Sequence, residues 1–422
     1  MKRVCLKQRI LLSSLVGALA LPAAPVLAFD PATYSLAGAE FMPTLGLNYI
    51  NQDNYLYQAD NPESAWLTIV NPHLNLALGN NATVLGVDLD YEAGRYSQST
   101  DVESSQTDDD YDDYGIDGLL SMEFNHRNEL GLRAGFKHTH EARGTGYSQG
   151  LAAINLLAPD EYGEASIGAQ YRFGAQTAKG RLNFSLEDWS REYTTRVQET
   201  EDQNRGELRA VGAFFWRVGG RTDVLVEYRH TDVDYDVGPL IGFDDGEGSE
   251  LTFGSLDSKV NTLFVGASWE ATGKTVGSVR IGQAQKDFGS PIREDFSGFS
   301  WEVSANWSPK SYSKFSVATS RAPRETVGLG SFIVAQTFNV DWSHAWSERF
   351  ESKVFYSYLD EDFSGDDSER EETLQDIGLR LDYAVYRWFD AGVSVQHSSN
   401  ESSIAEFEYE GNQVGLHLLW SL

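Results

Sequence analysis

The chain has 422 residues, with 33 lysines and arginines against 63 aspartates and glutamates, which gives a formal net charge of −30. Aromatic residues make up 12% of the chain, and it contains one cysteine. An acidic chain this rich in aromatic residues buries enough apolar surface to fold, which argues against intrinsic disorder. Its net charge repels phosphate backbones, so we expect no nucleic acid among its partners.

The first 28 residues have the organisation of a secretory signal peptide. Four basic residues precede an apolar run at residues 10–21, and the segment ends on Ala28. The run is too short for a membrane-spanning helix, which needs about 20 apolar residues. We therefore expect cleavage after Ala28, and a mature chain without cysteine because Cys5 lies in the leader.

Alternation of apolar and polar residues with a period of two predicts β-strands along the whole mature chain. Between residues 82 and 92, for example, Leu85 and Leu89 share one parity and Asp88 has the other. Helical periodicity is nowhere comparable. The pattern predicts about 18 strands, near residues 41–52, 63–79, 82–97, 113–126, 128–142, 161–173, 179–190, 206–218, 221–235, 257–270, 274–287, 297–308, 312–321, 331–345, 349–360, 372–386, 389–399 and 406–421.

The connections between these strands alternate in length along nearly the whole chain. Eight short connections interleave with nine long ones, of which the longest are residues 98–112, 143–160, 191–205 and 236–256. A transmembrane barrel with an even number of strands has this alternation when short turns face the periplasm and long loops face outside. A soluble propeller or sandwich is the alternative, but soluble strands usually have about 5–6 residues, whereas these run well beyond that length.

The sequence therefore predicts an all-β protein, a transmembrane antiparallel up-and-down β-barrel of about 16–18 strands with both termini in the periplasm. Residues 1–28 are the leader, residues 29–40 a periplasmic lead-in and residues 41–422 the barrel in the outer membrane of a Gram-negative cell. Outer-membrane lipid and lipopolysaccharide would surround it. The apolar last residue, Leu422, resembles the terminal signature that barrel-assembly machinery reads, so we expect that machinery as a partner.

The polar parity of the strands gives the residues that face the lumen. A barrel with this many strands leaves an aqueous channel, and side chains of both signs suit a hydrated solute of little or no charge. The alternative is that these charges pair with one another and hold the barrel rigid, and we expect most of them to do so. The candidate lumen-lining residues are Asp88, Asp90, Arg172, Arg181, Glu187, Arg209, Glu227, Arg229, Asp341, Arg380 and Asp382.

One group of residues could carry enzyme chemistry. His138 and His140 stand two residues apart, beside Glu141 and loop residue Ser148, so the two imidazoles could share one face of a strand. The same parity places them with Leu132 on the lipid-side stripe, which favours a structural role at the membrane interface. We expect no enzyme activity, no cofactor and no metal site.

Three long loops are strongly acidic. One of them begins like a calcium loop at Asp232, but Val237 stands where that loop needs glycine and Phe243 where it needs glutamate. The pattern favours a solvated loop surface whose charges repel one another, and weak divalent bridging to lipopolysaccharide is the alternative. The loops are residues 98–112, 232–250 and 360–372.

Several short motifs carry a family resemblance. The first mature strand, residues 43–49, leads into an Asp-Asn-apolar-aromatic motif at residues 53–57, and this opening resembles that of the putative β-barrel porin 2 family. Motifs at residues 91–96, 111–115 and 140–144 follow in the expected order and spacing. The resemblance implies an outer-membrane barrel of a kind often associated with exopolysaccharide or capsule gene clusters. It therefore implies glycan transport, and it brings no catalytic residue.

Three function classes remain. The leading one is a porin-like channel through which polysaccharide or oligosaccharide is exported, with periplasmic polysaccharide-export proteins as partners. The second is a general porin for small solutes, and the third is a structural or adhesive barrel with acidic surface loops. A long loop folded into the barrel would distinguish a constricted porin from an open conduit, and residues 143–160 and 236–256 are the loops long and apolar enough to do so.

Overall fold

The computed structural model describes residues 33–36, 38–80, 82–98, 108–150, 152–237, 240–243, 250–326, 330–365 and 369–421. Within these ranges the chain forms 18 long strands. They are β1 Ala39–Gln52, β2 Ala65–Gly79, β3 Thr83–Gln98, β4 Tyr111–Asn125, β5 Asn128–Glu141, β6 Asp160–Phe173, β7 Gly180–Tyr193, β8 Arg205–Gly219, β9 Thr222–Tyr235, β10 Ser258–Thr272, β11 Thr275–Phe288, β12 Phe296–Lys310, β13 Ser313–Glu325, β14 Phe332–Ala345, β15 Phe350–Ser364, β16 Glu371–Tyr386, β17 Phe389–Ser402 and β18 Tyr409–Ser421.

These strands form one closed antiparallel barrel. Each strand pairs with its neighbours in the sequence, and β1 pairs with β18 to close the seam. The register of the seam runs from Thr44 opposite Ser421 to Gln52 opposite Gln413. Closure leaves no barrel strand with an unpaired edge. The predicted antiparallel up-and-down β-barrel is therefore confirmed, with the strand number at the upper end of the predicted range.

The two ends of the barrel differ in their connections. The short turns lie at one end, which we call the short-turn end, and the long loops lie at the other, the long-loop end. Because β1 begins and β18 ends at the short-turn end, both ends of the barrel chain lie there. Part of the predicted lead-in is a strand, Tyr34–Leu36, which folds back onto the start of β1 and pairs Leu36 with Ala39. The predicted leader lies outside the described residues.

Alternating side chains give the barrel an apolar outer face and a polar inner face. On β9, Val226 and Tyr228 are each 49% exposed. The residues that alternate with them, Leu225 and Glu227, are each 3% exposed. In a closed barrel of this kind the exposed apolar side chains are those that contact lipid. The outer face carries such residues on nearly every strand.

Aromatic pairs lie towards both ends of the outer face. At the short-turn end, the rings of Tyr386 and Trp388 stack with centroids 5.3 Å apart. Near the long-loop end, Tyr49 stacks on Trp66 at 4.5 Å. Tyrosine and tryptophan favour the two membrane–water boundaries because their rings are amphipathic. The bands therefore bracket the apolar belt of the barrel.

The long-loop end carries the structure that the strand pattern did not predict. The predicted loop 236–256 contains a hairpin formed by Leu240–Phe243 and Glu250–Phe253. Short helices, Ala152–Asn155 and Val197–Thr200, lie in two other long loops. Among the described residues, no helix combines the length and apolar character needed to cross a membrane. Small apolar clusters here, including one built on Tyr55, bury side chains that loops would usually expose.

Candidate functional site

Charged residues of the inner face form networks along the barrel wall. On the wall made by β9–β12, Arg229 donates to Glu227 at 2.7 Å and to Glu302 at 2.8 Å. Arg280 contacts the same Glu227 at 3.3 Å. Glu227 and Arg280 are buried, so the network is shielded on one side by the wall itself. Such pairs stiffen the wall and leave little net charge at this level of the lumen.

Most other predicted lumen residues also have charged partners. Arg209 lies 3.2 Å from Glu187 on β7 and 2.7 Å from Glu207 on its own strand. Arg380 donates to Asp382 on the same strand at 2.9 Å. Two further pairs join different strands of the inner wall, Arg172 with Glu129 and Arg181 with Asp223.

Three predicted acids differ from this pattern. Asp88 accepts a hydrogen bond from Asn75 at 2.8 Å and lies 2.7 Å from His73 Nε2. Within the described part of the chain, Asp90 and Asp341 have no ion pair or side-chain hydrogen bond. These two carboxylates therefore remain available to cations and to hydroxyl groups in the lumen.

A long loop occupies the mouth at the long-loop end. This mouth loop consists of residues 142–159, between β5 and β6, and its second residue is the buried Arg143. Arg143 forms a two-contact ion pair with Asp109, and its Nη1 donates to the carbonyl oxygens of Ala153 at 3.0 Å and Leu156 at 2.8 Å. One guanidinium group thus holds the loop in a compact turn and anchors it to the segment before β4.

Two glycines let the mouth loop contact other loops closely. Gly144 has φ +86°, and a Cβ there would stand 2.0 Å from the carbonyl oxygen of Leu56, in the loop between β1 and β2. Gly150 has φ +64° and approaches the ring of Phe407, between β17 and β18, so that a Cβ would lie 2.9 Å away. Glycine adopts positive φ without steric cost and allows such approaches.

The contacts of the mouth loop reach several strands around the barrel. Gln149 accepts a hydrogen bond from Arg370, which lies before β16. On the other side, the Tyr147 hydroxyl donates to Asp202, between β7 and β8, at 3.2 Å. A segment that begins at β5 can touch residues beside β16 and beside β7 only by lying across part of the opening. The mouth loop therefore narrows the long-loop end of the lumen.

Tyr147 and Asp202 both have raised pKa values, and burial is the main cause for each group. Burial raises the pKa of Tyr147 to about 12, and the nearby Asp202 carboxylate adds to the increase. Burial also raises the pKa of Asp202 above its ordinary value. Tyr147 therefore stays a hydrogen-bond donor at neutral pH, and protonation of Asp202 is easier than for an exposed aspartate.

A second loop cluster lies around the buried Arg293. Its guanidinium donates to the carbonyl oxygens of Ser255, Gly254 and Gly330, each at 3.0 Å. It also donates to the Ser331 hydroxyl at 2.8 Å. This cluster ties the loop after the hairpin to the loop before β14. Among the described residues of the two loops predicted to be able to fold in, those of the mouth loop make the contacts that cross the opening.

The two histidines considered for catalysis contact different groups. His138 stacks on Tyr114 of the outer face, with ring centroids 5.0 Å apart. His140 stacks on the buried Tyr111 at 3.6 Å, and its Nδ1 lies 3.0 Å from Asp113. Pairing between β4 and β5 stops at His138, whereas pairing between β5 and β6 continues through His140 opposite Glu161. On the β4 side the backbone N–H of His140 donates to the Asp113 carboxylate at 2.9 Å instead. The parity argument that placed both imidazoles on one outer stripe is wrong for His140.

The acids and hydroxyl near these histidines have structural contacts. Glu141 accepts from the backbone N–H of Tyr147 at 2.7 Å and from the Tyr193 hydroxyl at 3.1 Å. The Ser148 hydroxyl accepts from the Gly144 N–H at 3.0 Å and shapes the turn of the mouth loop. Over the described residues, no group of three or more His, Cys, Asp and Glu side chains is arranged to hold a metal ion.

Sequence reasoning did not identify the mouth contacts, although part of the signal was visible. The length and apolar content of the mouth loop marked it as able to fold in. Its anchor, Arg143, pairs with Asp109, which is far away in the sequence, and no periodicity connects residues of two different loops. The positive φ of Gly144 and Gly150 also depends on which loop lies beside each glycine.

Comparison with solved structures gives distant barrel relatives. A mutant of the ferric enterobactin receptor PfeA from Pseudomonas aeruginosa has a TM-score of 0.44 and 9% identity, over 91% of this chain and 80% of that chain. OccAB3 from Acinetobacter baumannii has a TM-score of 0.46 and 10% identity, over 91% of this chain and 99% of that chain. The outer membrane protein opdK from Pseudomonas aeruginosa has a TM-score of 0.45 and 12% identity, over 90% of this chain and 98% of that chain. No curated protein sequence matches the chain.

The family comparison covers almost the entire barrel. The model of the putative beta-barrel porin 2 family matches residues 39–421, which begin with the first residue of β1 and end with the last residue of β18. The match agrees with the resemblance of the opening strand and its downstream motifs. The chain therefore belongs to the putative beta-barrel porin 2 family.

Proposed function

We propose that this porin-like outer-membrane barrel is a passive channel for small hydrophilic solutes, up to the size of oligosaccharides, and that its mouth loop sets the size limit. The observation that carries the proposal is the mouth loop lying across part of the long-loop opening, held by Arg143 and by contacts with Leu56, Phe407 and Arg370. A loop fixed at so many points restricts what can enter the lumen.

The inner wall supports a solute of little net charge. Most arginines of the wall are paired with carboxylates, as Arg229 is with Glu302, so no continuous basic surface is left for anions. Charged side chains of both signs are spread over most strands of the inner wall. A channel conducts when its contacts are favourable enough for entry and weak enough for exit.

The orientation and the surroundings are part of the proposal. We place the short-turn end and both ends of the barrel chain in the periplasm and the mouth loop outside the cell, as barrels of this class have short periplasmic turns and longer extracellular loops. Cleavage after Ala28, assembly by barrel-assembly machinery and contact with lipopolysaccharide belong to the same proposal. The structural contacts of His138, His140 and Ser148 support a channel without catalysis.

Export of a polysaccharide chain is the second candidate. Polar side chains distributed along the inner wall favour it, because a passing chain needs repeated weak contacts rather than one tight site. A polymer would have to pass the mouth loop, so this function requires the loop to move away from Phe407 and Arg370. Periplasmic polysaccharide-export proteins would then be partners.

Liposome swelling tests the two candidates. Purified protein should let small neutral sugars enter, with rates that fall as the sugars grow from one unit to several. A gene-deletion strain provides the complementary measurement, and we expect normal surface polysaccharide with slower uptake of small solutes. Loss of surface polysaccharide with unchanged small-solute uptake would contradict the porin and favour the exporter.

A further inference from the structure

The strongest unexplained feature of the lumen lies beside the seam, at the long-loop end. There, inward side chains of β1, β17 and β18 meet the loop between β1 and β2. We propose that this place, the seam pocket, binds a unit of a neutral sugar chain, an inference that rests on the proposed channel function and names its substrate class. The seam pocket consists of Gln52, Tyr57, Gln58, Asn400 and Tyr409.

A hydrogen-bonded turn holds the loop part of the seam pocket in place. Asn54 Nδ2 donates to the carbonyl oxygens of Gln58 at 2.8 Å and Glu410 at 2.9 Å, and Asn54 Oδ1 accepts from the Gln58 N–H at 2.9 Å. Tyr57 at the tip of the turn has φ +53°. A non-glycine residue in this region costs free energy and persists where its surroundings fix it, often at ligand sites.

Two tyrosines form an aromatic corner in the seam pocket. The rings of Tyr57 and Tyr409 meet edge to face, with centroids 5.1 Å apart. Both side chains are half-buried, so part of each remains accessible. Their hydroxyl groups have no hydrogen-bond partner among the described residues. The corner therefore offers apolar ring surface together with two unused hydroxyl groups.

Buried amide groups of the seam pocket also lack partners. Gln58 is 8% exposed and Asn400 is 2% exposed, yet Gln58 Nε2 and Asn400 Oδ1 have no hydrogen-bond partner in the described part of the chain. Gln52 Oε1 also lacks a partner there. Leaving a buried polar group unpaired is unfavourable, because the group gives up its hydrogen bonds to water without replacement. Asn400 lies opposite Tyr409 where β17 pairs with β18, and the turn of Asn54 is hydrogen-bonded to the next residue of β18. Unpaired polar atoms in this region indicate a site that another molecule completes.

The chemistry of these groups selects the ligand class. The amide nitrogen donates, the two amide oxygens accept, and the hydroxyl groups do both, which matches a molecule with many hydroxyl groups. The carboxylate of Asp376 interacts electrostatically with both tyrosines. It also accepts a hydrogen bond from Gln396 at 3.1 Å. A carboxylate at this position repels anions. The pocket therefore fits a neutral sugar better than an acidic one.

The opposite wall offers a contrast. Trp189 on β7 lies under the guanidinium groups of Arg191, Arg205 and Arg209, at 4.9–5.5 Å from the ring. These arginines are already paired with glutamates, among them Glu207. The Trp189 cluster is thus complete without a ligand, and it serves as the control region for the seam pocket.

Block of single-channel current by sugar tests the inference. In planar bilayers, maltohexaose should interrupt the wild-type current in a saturable way. Tyr57→Phe and Gln58→Leu should each weaken the block several-fold, and the double variant by about tenfold, because two hydrogen bonds are lost. The conductance without sugar should not change. Trp189→Phe, on the opposite wall, should leave the block as it is.

The outcomes separate the inference from the proposed function. Absence of any conductance from correctly folded protein would refute the channel itself. Normal conductance without saturable block, or equal block in the double variant and the wild type, would refute the seam pocket and leave the channel standing. Stronger block by an oligogalacturonate of the same length than by maltohexaose would refute the neutral ligand class.

Discussion

A single guanidinium group, that of Arg143, holds much of the mouth together. Its partner Asp109 belongs to another loop, and both side chains are buried, at 3% and 8% exposure. Removing one member of such a pair leaves an unpaired buried charge, which is far more costly than the pair was favourable. The order of the mouth loop therefore depends on one contact between residues that are distant in the sequence.

Arg143→Ala should release the mouth loop without unfolding the barrel. We expect a local loss of about 3–5 kcal/mol, seen as faster protease cleavage within residues 142–159 while the protein remains heat-modifiable on gels. Arg143→Met combined with Asp109→Leu removes both charges and should restore much of the protection. Equal cleavage of Arg143→Ala and wild-type protein would show that the pair does not hold the loop.

Strand parity also predicts how single substitutions on the two faces affect assembly of the barrel. Val226 lies on the outer face and Arg229 is paired in the lumen, so Val226→Arg should impair assembly by about 2–4 kcal/mol near the membrane midplane, whereas Arg229→Gln should assemble normally. Leu89→Arg and Asp88→Asn form a second pair of the same design. The yield of heat-modifiable barrel in membranes measures both. Similar yields within each pair would overturn the assignment of the two faces.

Burial of Asp202, the partner of Tyr147, should make the mouth loop sensitive to pH. Because the pKa of Asp202 is raised in the folded protein, the folded state binds its proton more tightly, and this part of the stability is present below the ordinary Asp pKa of about 4 and lost as pH rises through the raised value. Glu201, next in the chain, contributes to the shift in the same direction.

Protease protection of the mouth loop should accordingly decrease from mildly acidic to neutral pH. Asp202→Asn cannot titrate and should flatten this dependence, while Asp236→Asn, an exposed acid of another loop, should leave it intact. A wild-type loop equally protected at both pH values would contradict the role of Asp202.

At the scale of elements, the strands were predictable and the loop contacts were not. A period of two requires only the side chains of one segment, so β9 and β18 could be located from their own residues, and the closure of β18 onto β1 followed from an even strand number. The hairpin beginning at Leu240 was missed because its short strands lie inside an acidic loop.

The candidate site shows the same division. Parity located lumen residues such as Glu227 and Arg229, but it could not show that Arg280 and Glu302 on other strands complete their network. Parity also failed at His140, where pairing with β4 has stopped and the imidazole stacks on the buried Tyr111. Contacts that join separate loops, as in the seam pocket, depend on the assembled barrel and have no local sequence signal.

Deleting residues 146–156 tests the mouth loop as an element. The barrel strands do not depend on this segment, so the protein should still fold, and its single-channel conductance should rise together with the size of sugar that can enter. Deletion of residues 240–253, which removes the hairpin of the other long loop, is the matched control and should have a smaller effect. Unchanged conductance after the first deletion would mean that the mouth loop does not restrict the channel.

The molecule as a whole is a closed barrel whose inner wall is lined largely by paired charges. The seam of β1 and β18 removes the free edges, and the inner face keeps polar groups in contact with water along the lumen. The mouth loop and the loops around Arg293 then add a narrower entrance at one end. We propose that water and small solutes pass through this restricted barrel.

Single-channel recording of the purified protein in planar bilayers tests whether this passage exists. We expect stepwise, stable currents whose size increases when residues 146–156 are removed. A heat-modifiable, correctly inserted protein that gives no current steps, with the mouth loop present or deleted, would contradict it.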